Sequence, residues 1–259
     1  MFLKLVKHEL YETGRMLLPV FGGLLLASGL ARGSIWLMEQ TESPVVNIIG
    51  VMMIVLFFLG CLAAVILAEV LLMVRFARSV HGDEGYLTHT LPLGTHAILL
   101  SRLLVSFLAL SLTLGMVWLG IRLSTWSVEL VREMGEAIRA AFSQLGMGSD
   151  SLWLPLLMIM ISLLSSILQL FAAISIGHSF TNGKTGKSIL FYFVLSFASS
   201  TISSVVSALL LAANTVVGTD GLESFTRQSS LFSIILNLVF CGVYYFLTWI
   251  TTRKRLNLA

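Results

Sequence analysis

The segment RFARSVHGDEGYLTHTLPLGTHAILLSR, residues 75–102, separates two long apolar runs and decides how the chain is organised. It is the only long polar interruption that combines basic, acidic, glycine and proline residues. Segments as apolar as its two neighbours are typical of membrane-spanning helices. The pattern therefore predicts a loop that is held at a membrane surface by a helix on each side.

The composition of the whole chain supports a membrane protein. Hydrophobic residues make up 57% of the sequence and charged residues 11%, with a mean hydropathy of +0.94. Soluble domains contain about 25% charged residues. Cys61 and Cys241 each lie within an apolar run, so we interpret them as small hydrophobic residues and not as a disulfide or a metal pair. The net charge of +3 is small and gives no indication of nucleic-acid binding.

Six apolar segments are long enough to span a bilayer, which takes about 20 residues. They cover residues 16–38, 45–74, 97–121, 152–178, 188–213 and 231–250. No polar stretch reaches about 50 residues, the lower limit of an ordinary soluble domain. We therefore expect an all-α membrane protein with a single transmembrane domain over residues 1–259.

Two further segments have the amphipathic pattern of surface helices. Within residues 1–15, apolar and charged side chains occupy opposite helical faces, which predicts a helix in the membrane interface; a charged tail without defined structure is the alternative. Pro19 is then expected in the first turn of the next helix. Within residues 122–150, apolar residues recur every three to four positions and predict an external amphipathic helix. It either caps the bundle or gates a substrate path.

The distribution of basic residues predicts the orientation. With the N-terminus inside, eleven of the sixteen Lys and Arg residues fall on the cytoplasmic side and five on the outside. Because basic residues are enriched in cytoplasmic loops, both termini and the loop at residues 75–96 are expected to be cytoplasmic.

Glu69 is an acidic residue inside the second predicted span. A charge at this depth is costly and is normally paired or functional. One interpretation is a structural ion pair with Arg75, Arg102 or Lys184. The other is a proton or substrate site.

The fifth predicted span contains a stripe of small residues, because Ser196, Ser200 and Ser204 recur at every fourth position. Such spacing allows close approach of helix backbones. The stripe either packs within the chain or forms a surface for a second membrane subunit, where it could line a polar path.

No sequence motif predicts catalysis in this chain. Residues 181–188, TNGKTGKS, end like a phosphate-binding loop but have Thr181 where that motif requires glycine, and no strand precedes them. His81, His89 and His96 lack metal-ligand spacing and are interpreted as solvated loop residues. We expect a chain without its own ATPase, catalytic residues, metal or cofactor.

The loop also resembles a known family. The residues that carry the resemblance are Arg75–Phe76, Gly82-Asp83-Glu84-Gly85-Tyr86-Leu87-Thr88, Thr90-Leu91-Pro92-Leu93 and Ile98-Leu99-Leu100-Ser101-Arg102. This pattern, together with the six-span layout, resembles the permease subunit of ABC-2 type ATP-binding-cassette transporters, notably the small permeases of Gram-positive bacteria. Arg102 replaces the usual lysine, and His89 lies within the threonine-leucine run.

The resemblance implies that the loop forms a coupling helix in a groove of a separate cytoplasmic ATPase subunit. The implied coupling residues are Asp83, Glu84, Gly85, Tyr86, Leu91 and Pro92. Their chemistry suits an interface, since carboxylates can face cations and an aromatic ring can anchor the contact. The ATPase partner would bind ATP and Mg²⁺, and the permease would pair with a second copy or a sister permease in the bacterial cytoplasmic membrane.

Two other functions remain open from the sequence. An ion-driven secondary transporter would show inverted repeats and broken helices, and neither is evident. A membrane-embedded enzyme would need paired acids or histidines, and only Glu69 and His178 are candidates. Export is the family default, whereas the substrate, the direction of transport and the choice between homodimer and heterodimer are not predicted.

Overall fold

The described residues form six long α-helices. The computed structural model describes residues 2–41, 43–81, 94–124, 136, 140, 153–180, 183–217 and 222–254. The helices are α1 (Phe2–Gln40), α2 (Pro44–Phe76), α3 (Thr95–Ser124), α4 (Trp153–His178), α5 (Lys184–Val217) and α6 (Leu222–Lys254). A π-helical turn, Ala77–His81, continues α2.

The predicted all-α membrane class with six spanning helices is confirmed. The described residues contain no strand. Each of the six helices is long and apolar enough to cross a membrane, so the chain is a multi-pass membrane protein.

Local sequence signals set several helix ends. Pro44 is the first residue of α2, where a missing N–H costs little. The carbonyl of Gly94 accepts a 2.9 Å hydrogen bond from the Ala97 N–H as α3 begins. Gly183, immediately before α5, has a φ of 68°, a left-handed conformation that glycine adopts without strain.

The N-terminal helix differs from the prediction. α1 runs without interruption from Phe2 to Gln40, and Pro19 lies inside it. The expectation that Pro19 would lie in the first turn of a separate second helix is therefore wrong. Proline is tolerated within membrane helices because neighbouring groups satisfy the freed carbonyl. At 39 residues, α1 is about 58 Å long and exceeds a hydrocarbon core of about 30 Å.

The chain divides into two compact units that interleave in sequence. Unit 1 comprises residues 1–75 and 104–135, and unit 2 comprises residues 76–103 and 136–259. The division passes through α2 and α3, so the units are not successive domains.

The core of unit 1 is formed by α1, α2 and α3. Leu24 of α1 packs with Phe57 and Cys61 of α2, and Val117 of α3 packs against this cluster. A Cβ atom added to Gly120 of α3 would lie 2.8 Å from the Leu24 side chain. Glycine at this position therefore permits close contact between α3 and α1.

The core of unit 2 is organised around α4, which packs against both α5 and α6. Leu168 and Ala172 of α4 are buried against Cys241 and Tyr244 of α6. Both cysteines of the chain are buried and unbonded to one another, which confirms their interpretation as small core residues.

Candidate functional site

The predicted coupling residues lie outside the described part of the chain. Asp83, Glu84, Gly85, Tyr86, Leu91 and Pro92 all fall within residues 82–93. The external amphipathic segment at residues 122–150 is likewise described only at 122–124, 136 and 140. The structure does describe the two flanks of residues 82–93.

The N-terminal flank is held against α4. The rings of Phe76 and Phe171 stack with centroids 3.8 Å apart and planes 7° apart. Both rings are buried. The π-helical turn that follows also packs against α4, and the hydroxyl of Ser79 donates to the carbonyl of Phe76 at 3.2 Å. The backbone entering the loop is thus fixed by aromatic packing.

The C-terminal flank is held against α6. His96, in the first turn of α3, lies with its Nδ1 atom 2.8 Å from the Tyr245 hydroxyl. Its ring also stacks on Trp249, with centroids 5.2 Å apart. The guanidinium of Arg253 lies 5.3 Å from the centroid of the same Trp249 ring. Two turns of α6 therefore hold the start of α3.

The two flanks contact α4 and α6, and the sequence had not predicted either contact. Residues 76–81 contact α4, and His96 contacts α6, all within unit 2. The residues on either side of the loop therefore contact α4 and α6 as well as belonging to α2 and α3.

An ion cluster lies at the C-terminal end of α2 within unit 1. Arg75 Nη2 is 3.1 Å from Glu9 Oε2 and 2.6 Å from Glu12 Oε2. The side chains of Arg75 and Glu9 are 11% and 6% exposed, whereas that of Glu12 is 40% exposed. The Arg75–Glu9 pair is therefore largely removed from water, and Glu12 joins it from the surface.

Glu69 does not make the ion pair expected with Arg75. It is half-buried on α2, while the guanidinium of Arg75 is bound to Glu9 and Glu12. Among the described residues of unit 1, no cation pairs with Glu69. Of the three cations considered for Glu69, Arg75 is therefore paired with carboxylates of α1, and the choice between an ion pair with Arg102 or Lys184 and a proton or substrate site stays a prediction.

The serine stripe of α5 lies largely on an exposed surface. Ser200 and Ser204 are exposed and Ser196 is half-buried. The hydroxyl of Ser204 donates to the Thr201 carbonyl of the same helix at 2.9 Å. The hydroxyl therefore makes its hydrogen bond within α5 and needs no partner on another helix. The exposed part of the stripe is available to lipid or to another membrane helix.

The described histidines and the described end of residues 181–188 have ordinary helix contacts. No group of three His, Cys, Asp or Glu side chains among them is placed to hold a metal ion. His96 contacts aromatic rings of α6, and His178 lies with Nδ1 3.0 Å from the Ile174 carbonyl. Ser188, from the segment that imitates a phosphate-binding loop, lies inside α5 and donates to the Lys184 carbonyl at 2.9 Å.

No protein-family description, curated protein or solved structure matches this chain. The sequence of the loop and the contacts of its flanks are therefore the features that bear on function.

Proposed function

We propose that this chain is the membrane-spanning subunit of an ABC-2 type transporter. It would form the substrate path, work as an exporter and couple through residues 82–93 to a separate cytoplasmic ATPase. The observation that carries the proposal is the position of the family-like loop between two flanks that are both anchored to the C-terminal helices.

The anchored flanks suit a coupling element. A loop that transmits force must be attached to packed elements, because a mobile connection would absorb the displacement. The Phe76–Phe171 stack attaches one flank to α4, whose residues form the core of unit 2. The contacts of His96 with Tyr245 and Trp249 attach the other flank to α6.

The Arg75 cluster supports the same proposal from unit 1. Arg75 is the residue immediately before Phe76, and its guanidinium is held by Glu9 near the N-terminus of α1. The helix that enters the loop is therefore tied to α1 by charge and, one residue later, to α4 by ring stacking. Both contacts fix the end of α2 that leads into the loop.

The remaining parts of the proposal concern the partners. The ATPase would bind ATP and Mg²⁺ on the cytoplasmic side, where the excess of basic residues puts the loop and both termini. A second copy of the chain or a sister permease would meet it at the exposed Ser200–Ser204 surface of α5. The bilayer would be the bacterial cytoplasmic membrane.

The test is purification of tagged full-length protein from native membranes, followed by assay of Mg²⁺-dependent ATP hydrolysis and photolabelling with an azido-ATP probe. The wild-type complex should contain a labelled ATPase subunit. Replacement of Asp83, Glu84 and Tyr86 by Ala should remove that subunit or abolish the effect of the permease on its hydrolysis rate.

The matched control is Thr185→Ala, which changes an exposed polar residue in the first turn of α5. This variant should retain the ATPase subunit. An absence of any ATP-hydrolysing subunit from the wild-type complex would refute the proposed class. Retention of full coupling by the triple variant would refute the assignment of the loop.

A further inference from the structure

A cavity of about 570 Å³ lies within unit 1, between the C-terminal turns of α1, the first turns of α2 and the end of α3. Its volume falls in the range of small-molecule sites, about 300–1,000 Å³. Ile54, Phe57 and Phe58 of α2 form an apolar wall, and Arg32 and Glu39 of α1 supply charged groups. The cavity thus combines an apolar surface with a cation.

Arg32 is the chemically distinctive residue of this cavity. It is half-buried, and none of the described residues of unit 1 makes an ion pair with it. Glu39 lies seven residues further along α1, near its exposed end, and does not bind the guanidinium. A cation beside an apolar wall is costly unless an anion accompanies it. The charge of Arg32 therefore favours an anionic ligand.

Tryptophan side chains indicate the depth of the cavity. Trp36 of α1 is 53% exposed and Trp118 of α3 is 65% exposed. The guanidinium of Arg122 lies 5.8 Å from the centre of the Trp118 ring. Exposed tryptophans with nearby cations are typical of the boundary between lipid headgroups and hydrocarbon. This end of unit 1 is therefore at headgroup level.

We propose that the cavity binds an anionic phospholipid of the surrounding bilayer. The phosphate would accept hydrogen bonds from the Arg32 guanidinium, whose planar fork matches phosphate oxygens. An acyl chain would cover Ile54, Phe57 and Phe58, which free phosphate would leave exposed. The inference does not depend on the proposed transport function, since it uses only α1, α2 and α3 of unit 1.

The test is native mass spectrometry of the purified full-length protein, titrated separately with phosphatidylglycerol and phosphatidylcholine. The wild type should bind phosphatidylglycerol about tenfold more tightly, which corresponds to one charge-assisted contact. Arg32→Gln should abolish this preference, and Arg32→Lys should retain most of it. Arg122→Gln, which removes a cation at the same end but outside the cavity, should leave the preference unchanged.

A second variant tests the apolar half of the site without altering charge. Ile54→Trp should fill the cavity and weaken binding of phosphatidylglycerol, and it provides the test if Arg32→Gln fails to fold. Inorganic phosphate at millimolar concentration should not displace the lipid. The proposal is overturned if Arg32→Gln keeps the preference, if Ile54→Trp binds phosphatidylglycerol as the wild type does, or if inorganic phosphate displaces it.

Discussion

Arg75, in the last turn of α2, donates two hydrogen bonds to one carboxylate oxygen of Glu9 in α1, at 3.3 and 3.1 Å. The two residues are 66 positions apart in the sequence. Both side chains are largely buried, so water solvates these charges little. The stability of the pair therefore depends on the geometry of its hydrogen bonds. It fixes the N-terminal turns of α1 beside the helix that enters the proposed coupling loop.

Removal of one partner of this pair should destabilise the protein. We expect Glu9→Gln to lower the free energy of unfolding by about 3 kcal/mol, because the Arg75 charge would lose its buried counterion. Glu12→Gln should cost less than about 1 kcal/mol, since Glu12 is substantially solvated. Unfolding by sodium dodecyl sulfate in mixed micelles would measure both changes.

Arg78→Ala is the control for this experiment, because Arg78 is exposed three residues beyond Arg75. It should change the free energy of unfolding by less than about 0.5 kcal/mol. Equal losses for Glu9→Gln and Glu12→Gln would contradict the assignment of Glu9 as the principal partner.

The helices were predictable from the sequence, whereas the partners of the charged residues were not. Runs of apolar residues long enough to span a bilayer produce helices because no other open structure satisfies the backbone there. Pairing of charges depends on which helices become neighbours. Arg75 is six residues from Glu69 in sequence, yet its guanidinium reaches Glu9 and Glu12 on another helix. The sequence therefore did not predict which carboxylates bind Arg75.

The contacts of the loop flanks also could not be inferred from local patterns. His96 and Tyr245 are 149 positions apart, and neither position shows a distinctive motif. The aromatic residues of the last helix have the ordinary composition of a membrane-interface segment. Tyr245 and Trp249 contact His96 because α6 packs beside the start of α3.

Gly177 provides a test of the packing between α4 and α5. A Cβ atom at this position would collide with both the side chain and the backbone of Ser188. Gly177→Ala should therefore lower the free energy of unfolding by about 1–3 kcal/mol, the usual cost of overpacking. Gly186→Ala is the matched control in α5, where an added Cβ meets nothing within 4 Å.

The control should be neutral or slightly stabilising, by about 0.5–1 kcal/mol, because alanine favours a helix more than glycine does. Detergent titration of the two variants side by side would compare them. Similar effects of the two substitutions would show that Gly177 does not mark a close approach.

The orientation of the chain can be tested with single cysteines in a background that lacks Cys61 and Cys241. Cysteines at Arg78 and Thr185 should be protected from an impermeant maleimide in intact cells and labelled after permeabilisation. A cysteine at Gln40 should be labelled in intact cells. All three positions are exposed, so differences in labelling report the side of the membrane. The reverse pattern would put the coupling loop outside and exclude a cytoplasmic ATPase as its partner.

The proposed pairing surface on α5 makes a separate prediction. Cysteines at Ser200 and Ser204, in the same cysteine-free background, should form disulfide-linked dimers when membranes are oxidised. A disulfide requires Cα atoms within about 7 Å, so a link reports direct contact between small faces. A cysteine at Leu26, an exposed lipid-facing position on α1, is the control and should remain monomeric. If neither serine position cross-links, the same cysteine variants should be co-expressed with a sister permease. An absence of cross-links in that experiment as well would refute the pairing surface.

The stacked rings of Phe76 and Phe171 allow the N-terminal anchor of the loop to be measured as an energy. Each Phe→Ala variant should lose about 3–5 kcal/mol of unfolding free energy, because a buried ring is replaced by a cavity. In a double-mutant cycle, the interaction between the two rings should amount to about 0.5–1.5 kcal/mol.

Phe197→Ala is the control for this cycle, since Phe197 is 76% exposed on α5 and its loss should change stability by less than about 0.5 kcal/mol. The milder variant Phe171→Leu should remain folded and still bind the proposed ATPase partner, but with a weaker effect on ATP hydrolysis. Full coupling in Phe171→Leu, together with an interaction energy near zero, would show that α4 does not receive the motion of the loop. The anchor on α6 through His96 would then be the remaining route by which the loop could act on the C-terminal helices.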